Sequence, residues 1–267
     1  MGPWREIADR VFVRRYRFFD QTIGAIVGTA GVVVLDTRTT PSQAIELRDD
    51  VRALTSLPIT IVNTHGHHDH VFGNSVFRPC EIWGHVRCAT MIEETGAQQL
   101  AKAREQLPAL VDDLGAVLLD PPDRTFEDET ALDVGGRLVE LRYLGRGHTD
   151  NDIVITVPDA GVLFAGDLLE NGATPFFGDG YPLDWPATAE ALCALVTGAV
   201  VPGHGEPDDI TFARRQLAEF EANAALARHV HAGELELETA ISESPYPANA
   251  AREPLERALA QLRGELD

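Results

Sequence analysis

The most informative segment of the chain is Thr64-His65-Gly66-His67-His68-Asp69-His70, which directly follows a predicted apolar strand over Ile59–Asn63. Four imidazoles so close together cannot all be neutral hydrogen-bond partners of one another. A divalent cation explains the cluster, because imidazole nitrogen and carboxylate oxygen are good ligands for zinc and similar ions. Side chains two residues apart in extended backbone point the same way. The stretch therefore predicts a metal site at the end of a strand.

Three further segments place a ligand-type residue beside glycine directly after a predicted strand. They are Gly147-His148-Thr149, Gly166-Asp167 and Gly203-His204-Gly205. Each is weak alone, but together they repeat one pattern, in which rigid strands deliver side chains to a common edge and glycine lets the backbone turn. We therefore expect His148, Asp167 and His204 to join the histidine-rich stretch.

The rest of the chain predicts strands followed by helices in each of two halves, an order typical of an α/β sandwich. Helical spacing of apolar residues covers Pro41–Leu54 and most of Arg87–Leu114 in the first half. In the second half it covers Ala187–Leu195 and Asp208–His229. Residues 1–231 are predicted as one catalytic domain, and residues 232–267 as a helical tail that packs on it or extends from it.

Composition and charge exclude several classes of protein. The chain has 267 residues, is 44% hydrophobic and carries a net charge of −20, so it can bury a core but is too acidic to bind nucleic acid. Lys102 is its single lysine. The apolar runs are too short to span a membrane, no secretory signal is recognisable, and three cysteines are odd in number. These features predict a cytoplasmic protein with free thiols and leave the oligomeric state open.

This set of motifs resembles the metallo-β-lactamase superfamily. The matching pattern is His65-x-His67-x-Asp69-His70 followed by the three later residues in the family's order, over Val11 to His229. The resemblance implies a four-layer αβ/βα sandwich, in which two mixed sheets pack face to face with helices outside. It also places the metal ions at one edge of the sheets.

Carried over position by position, the resemblance implies two divalent ions, zinc in the first place, with iron or manganese as alternatives. A hydroxide that bridges the ions would attack the substrate, and Asp69 is the candidate catalytic residue that orients the water and carries a proton. His68 is not a ligand position in the family pattern. The implied ligands are His65, His67 and His148 for the first ion, Asp69, His70 and His204 for the second, and Asp167 as the bridge.

The second half is similar to the first subclass of metallo-β-lactamases but departs from it at two positions. Those enzymes usually have Cys where this chain has Asp167, and Lys three residues later, where this chain has Glu170. An anion in place of that cation should repel a carboxylate. Asp167 instead resembles the bridging aspartate of the superfamily's thioesterases, lactonases and phosphodiesterases. The predicted substrate pocket comprises Glu170, Phe176, Phe177 and Tyr181.

The predicted function is metal-dependent hydrolysis of a small ester, thioester, lactone or amide. The predicted partner is thus a small-molecule substrate, with no nucleic acid or membrane partner. One alternative is a β-lactamase-like amide hydrolase with residual lactam activity, and another is an iron-dependent oxygenase or redox member of the same fold. A non-catalytic binding module is disfavoured because every ligand-type position is intact.

Overall fold

The computed structural model describes residues 3–266, which form two β-sheets with helices on their outer faces. Residues 1 and 2 of the predicted catalytic domain, and residue 267 of the predicted tail, lie outside the described residues. The strands are β1 (Arg5–Ala8), β2 (Val11–Arg15), β3 (Thr22–Val27), β4 (Val32–Leu35), β5 (Ile59–Val62), β6 (Ile82–His85), β7 (Arg124–Phe126), β8 (Glu129–Asp133), β9 (Leu138–Tyr143), β10 (Ile153–Val157), β11 (Val162–Glu170) and β12 (Ala199–His204).

The helices connect these strands or follow the last of them. Among residues 3–266, no helix is both long and apolar enough to cross a membrane. The α-helices are α1 (Pro41–Leu54), α2 (His68–Val71), α3 (Val86–Gln106), α4 (Val111–Gly115), α5 (Trp185–Leu195), α6 (Ile210–His231), α7 (Leu237–Glu243) and α8 (Arg252–Leu262).

Both sheets mix parallel and antiparallel strand pairs. The seven-stranded sheet runs in the order β1 to β7, antiparallel from β1 to β4 and parallel from β4 to β7. The five-stranded sheet has the order β12-β11-β10-β9-β8, in which only β11 and β12 are parallel. A parallel pair needs a crossover, and α1 supplies it between β4 and β5. The predicted α/β sandwich of two mixed sheets is confirmed.

The two sheets pack on each other through branched aliphatic side chains, and each buries its other face under helices. Full burial of one such side chain contributes about 1.5–3 kcal/mol of transfer free energy. The layer between the sheets includes Val11, Val33, Val62, Leu141, Ile153 and Ile155. Helix α1 covers one outer face with Ala44, Leu47 and Val51. Helices α5 and α6 cover the other with Trp185, Leu192, Phe212 and Phe220.

Local sequence explains helix α1, whose observed bounds equal the predicted range Pro41–Leu54. The Thr40 hydroxyl accepts a hydrogen bond from the Gln43 N–H at 3.3 Å, and Pro41 occupies the first turn, where its missing N–H costs nothing. The structure also contains edge strands β1 and β7, which the sequence pattern does not predict. They are short and largely exposed, so they lack the apolar runs that mark the buried strands.

The last two helices pack against the rest of the chain. Leu255 and Ala258 of α8 are buried with Ala227 of α6 and Ala240 of α7. Gln261 accepts a hydrogen bond from the Leu183 N–H at 2.9 Å, in the loop before α5. Residues 232–266 therefore lie against the body, while the division into two domains stays a prediction.

Candidate metal centre

The histidine-rich turn begins where β5 ends, and hydrogen bonds hold it from several sides. The N–H and the hydroxyl of Thr64 donate to the Asp36 carboxylate at 2.7 and 2.8 Å. The Gly66 N–H donates to Asn151 Oδ1 at 2.9 Å, and its carbonyl accepts from Gln99 Nε2 of α3 at 3.1 Å. Contacts from both halves of the fold therefore shape this turn.

Three of the predicted ligand residues form a first group of ring nitrogens that face one another. His67 Nδ1 lies 3.1 Å from His65 Nε2 and 2.8 Å from His148 Nε2. All three rings are buried. His148 follows β9 in the five-stranded sheet, so this group joins the two halves of the chain. Together these nitrogens could hold a metal ion.

A second group combines Asp69, His70 and His204. Asp69 Oδ2 lies 3.4 Å from the Nε2 atoms of both histidines, which are 3.3 Å apart. Asp69 and His70 lie in the short helix α2, and His204 is the last residue of β12. These atoms also form a set that could hold a metal ion.

Asp167 lies between the two groups. Its Oδ2 atom is 3.3 Å from His70 Nε2 and 3.1 Å from His204 Nε2. The same oxygen is 3.7 Å from His65 Nε2 and 3.6 Å from His148 Nε2. One carboxylate thus reaches both groups at once.

The backbone around Asp167 needs glycine, and one of its oxygens has no hydrogen-bond partner among the described residues. A Cβ at Gly203 would lie 1.8 Å from Asp167 Oδ1, so any side chain there would displace the carboxylate. That Oδ1 atom is buried and unpaired. A buried charged oxygen without a partner costs free energy unless a cation compensates it. The residues present therefore fit divalent ions.

The nitrogen that faces away from the cluster is hydrogen-bonded in each of the five histidines. Such outer bonds set the tautomer and orient the ring, which leaves the inward nitrogen free to bind a cation. The outer partners are Thr64 Oγ1 for His65 (3.0 Å), Asp179 Oδ2 for His67 (2.9 Å), Asp36 Oδ2 for His70 (2.8 Å), Phe176 O for His148 (3.1 Å) and Phe19 O for His204 (2.6 Å).

Burial and nearby charges divide the histidines into two electrostatic classes. Burial lowers the pKa of His65 well below its usual value and that of His148 to about 4, so both rings are neutral at pH 7. Burial also opposes a charge on His70 and His204, but the nearby carboxylates, Asp167 first and then Asp69, together outweigh burial and raise the pKa of both. Burial favours neutral Asp167, yet these two histidines hold its pKa well below the usual value.

A cavity of about 580 Å³ opens over the cluster. Phe19 and Phe176 line it and stay 42% and 51% exposed, so each presents an apolar ring to an incoming molecule. Glu170 and Asp179 line it as well, and the Glu170 carboxylate accepts a hydrogen bond from the Phe176 N–H at 3.0 Å. Of the predicted pocket residues, Glu170 and Phe176 therefore lie in the cavity wall.

The other two predicted pocket residues lie elsewhere, which corrects that expectation. Phe177 is 1% exposed, and its ring packs on those of Trp185 (4.9 Å between centroids) and Tyr246 (5.5 Å). Tyr181 is not part of the cavity lining, and its ring contacts the Arg146 guanidinium at 4.4 Å. The reason is tertiary packing, because the aromatic cluster of Trp185, Phe220 and Tyr246 takes up the Phe177 ring and Arg146 covers that of Tyr181.

Sequence reasoning missed Asp36, which orients both Thr64 and His70. Asp36 directly follows β4, so the pattern of a strand followed by a polar residue could have identified it. His68 belongs to neither group. Its ring contacts those of Phe19 and Phe72, each at 5.8 Å between centroids.

Comparisons with known proteins agree with this geometry. The family model described as "Metallo-beta-lactamase superfamily" matches residues 16–204. A "Metallo-beta-lactamase type 2" of Bacteroides fragilis is 32% identical over 93 residues, which are 33% of this chain and 37% of that protein. A "Metallo-beta-lactamase type 2" of Bacillus cereus is 26% identical over 193 residues, 70% of this chain and 68% of that protein.

The fold of this chain also resembles the folds of solved structures. A metallo-beta-lactamase from Pontibacter korlensis superposes with a TM-score of 0.67 at 20% identity, over 82% of this chain and 98% of that one. The DIM-1 metallo-beta-lactamase superposes with a TM-score of 0.65 at 19% identity, over 82% and 98% of the two chains. At such identities the superpositions bear on the fold alone.

Proposed function

The chain belongs to the metallo-β-lactamase superfamily, and from this premise we propose that it hydrolyses a small ester, thioester, lactone or amide with two divalent metal ions, zinc by preference. Membership of this superfamily indicates a metallo-hydrolase. The observation that carries the finer proposal is the position of Asp167 Oδ2 within 3.7 Å of Nε2 atoms from both ligand groups.

The two groups supply the ligands. When bound, the ions would act as Lewis acids and lower the pKa of a water molecule that they bind. Two aspartates neutralise only part of a charge of +4, so the centre stays attractive to an electron-rich carbonyl oxygen. The proposed ligands are His65, His67 and His148 for the first ion, Asp69, His70 and His204 for the second, and Asp167 for both.

The protein's own residues would orient the reactants and exclude water. Asp69 lines the cavity and lies within 3.4 Å of His70 and His204, so it can hold the attacking water and take up a proton. Phe19 and Phe176 would pack on the apolar part of a substrate and reduce its exposure to solvent.

Hydrolysis of a β-lactam amide is the second candidate, supported by the similarity to the metallo-beta-lactamases of Bacteroides fragilis and Bacillus cereus. Against it stands Glu170, which occupies the position where those enzymes usually carry lysine. An acidic side chain there supplies no cation for a substrate whose own carboxylate must bind at that wall. Nitrocefin hydrolysis measures this activity directly.

The decisive experiment combines metal analysis with a substrate panel. We expect a colourless protein with two zinc ions per chain that hydrolyses a member of at least one of the four substrate classes. One ion per chain, or no hydrolysis across the panel by protein that carries two, would contradict the proposal. A coloured, iron-loaded protein would instead support the oxygenase or redox alternative.

Removal of the metal ions should abolish hydrolysis and destabilise the fold. A ligand present at 100 times its Kd stabilises a protein by about 2.7 kcal/mol, so chelation should lower the Tm measured by calorimetry. Zinc added back should restore both turnover and Tm, with the chelated, unreplenished sample as the matched control. Unchanged turnover after complete metal removal would count against metal-dependent chemistry.

Asp179 should position His67 for the first ion. Burial opposes the charge of this carboxylate, but His67 outweighs burial and lowers the pKa of Asp179 to about 2. We expect Asp179→Ala to weaken binding of the first ion by about 10–100-fold, measured by competition with a chelating dye. Asp112→Ala, an exposed acid in α4, is the control. Equal affinity in both variants would exclude this role.

We also propose a cytoplasmic location. Its support is the state of Cys80, Cys88 and Cys193, which are all free. Oxidising compartments favour disulfides, so free thiols fit a reducing one. Localisation of a tagged full chain by fractionation tests this.

A further inference from the structure

Lys102 is the single lysine of the chain, and it lines the cavity over the candidate metal centre. It lies on helix α3 together with Gln99, Ala103 and Gln106, which line the same cavity. Residues three and four apart share one side of a helix, so α3 turns a single face toward the cavity. This face carries one ammonium group and two side-chain amides.

The charge environment makes Lys102 distinctive. The acidic residues that line the cavity are all engaged: Asp20 pairs with Arg15, Asp179 with His67, Asp69 and Asp167 with the histidines, and Glu170 accepts from a backbone N–H. Among residues 3–266, no arginine lines this cavity. Lys102 is exposed, and it forms no ion pair with any of residues 3–266.

We propose that Lys102, with Gln106 beside it, binds a carboxylate carried by the substrate at a distance from the bond that is hydrolysed. This inference rests on the proposed function and names its substrate class, an ester, thioester or lactone with a free carboxylate. The Lys102 ammonium donates a charge-assisted hydrogen bond to the substrate carboxylate. The Gln106 amide offers a second donor one turn further along α3.

The position of α3 determines how such a substrate would lie in the cavity. Gln99 contacts the histidine-rich turn through Gly66 O, and Lys102 lies three residues further on, about 4.5 Å along the helix axis. Glu170 ends β11 in the five-stranded sheet, whereas α3 follows β6 of the seven-stranded sheet. The substrate carboxylate would therefore point to the α3 side of the cavity, away from Glu170.

The kinetic test compares two esters with one leaving group, neutral p-nitrophenyl butyrate and anionic mono-p-nitrophenyl glutarate. The measured quantity is the ratio of their kcat/KM values, anionic over neutral. We expect Lys102→Gln to lower this ratio by about 5–20-fold, chiefly through the KM of the anionic ester. Lys102→Glu should lower the ratio further, and Lys102→Arg should keep most of the wild-type ratio. Arg214→Gln removes an equal charge from an exposed site on α6 and should leave the ratio unchanged.

A binding measurement separates this inference from the proposed function. Calorimetry on zinc-loaded protein compares glutarate, which has two carboxylates, with butyrate, which has one. We expect glutarate to bind more tightly than butyrate to the wild type, and Lys102→Gln to lose this preference. If no member of the substrate panel is hydrolysed but the preference for glutarate depends on Lys102, the carboxylate site stands and the proposed function fails. If the wild type shows no preference for glutarate, or Lys102→Gln keeps that preference or the kinetic ratio, the carboxylate site is overturned.

Discussion

Replacing Asp167 with alanine should lower kcat by about 10³-fold, the upper range for loss of one preorganised electrostatic contact, and should reduce the bound metal from two ions to one. The reason is that Asp167 Oδ2 lies within 3.7 Å of the inward-facing Nε2 atoms of both groups. Without it, His70 and His204 lose the carboxylate that most strongly favours their charged forms. Metal content by mass spectrometry and steady-state kinetics measure the two effects.

Two further variants make the Asp167 result specific. Asp167→Asn keeps the volume of the side chain, so a similar loss there assigns the effect to the missing charge rather than to a cavity. Asp112→Ala removes one exposed acid outside the cavity lining and should keep full activity. Full turnover of Asp167→Ala with two bound ions would overturn the bridging role.

Replacing Phe177 with alanine should lower the free energy of unfolding by about 3–5 kcal/mol. Its ring is 1% exposed and contacts those of Trp185, Tyr246 and Phe220, so the variant leaves a cavity in a packed aromatic cluster. Urea denaturation of metal-loaded protein, followed by circular dichroism, measures the change.

The neighbouring residue Phe176 is a matched control with the opposite expectation. It is 51% exposed at the rim of the cavity, so Phe176→Ala should change stability by no more than about 0.5 kcal/mol. The same variant should raise the KM of substrates with an apolar chain, because the ring forms part of the cavity wall. Equal loss of stability in the two variants would contradict the buried position of Phe177.

Most of the fold follows from the sequence, because buried strands and helices leave periodic apolar patterns. Helix α1 over Pro41–Leu54 is a case in which spacing, cap and first-turn proline all agree. Strands β1 and β7 are the opposite case, because an exposed edge strand needs only one neighbour and shows no such pattern. Their position depends on the sheet that they join.

The ligand-type residues could also be identified from the sequence, because four short segments combine a strand, glycine and a metal-binding side chain. The contacts between these residues could not be identified from the sequence. His204 follows Asp69 by more than a hundred residues, yet Asp69 Oδ2 and His204 Nε2 lie 3.4 Å apart. That approach depends on two sheets packing face to face, which no local pattern encodes.

Local patterns of residue type and spacing are enough to identify the fold class, the family and the set of side chains suited to bind metal ions. The packed structure is needed to show which nitrogen of each histidine faces the cluster, that Asp36 and Asp179 orient two of these rings, and that Phe176 lines the cavity while Phe177 fills the core. The physical reason is that side-chain direction in loops is set by contacts between segments distant in sequence. Those contacts exist only once the sheets have packed.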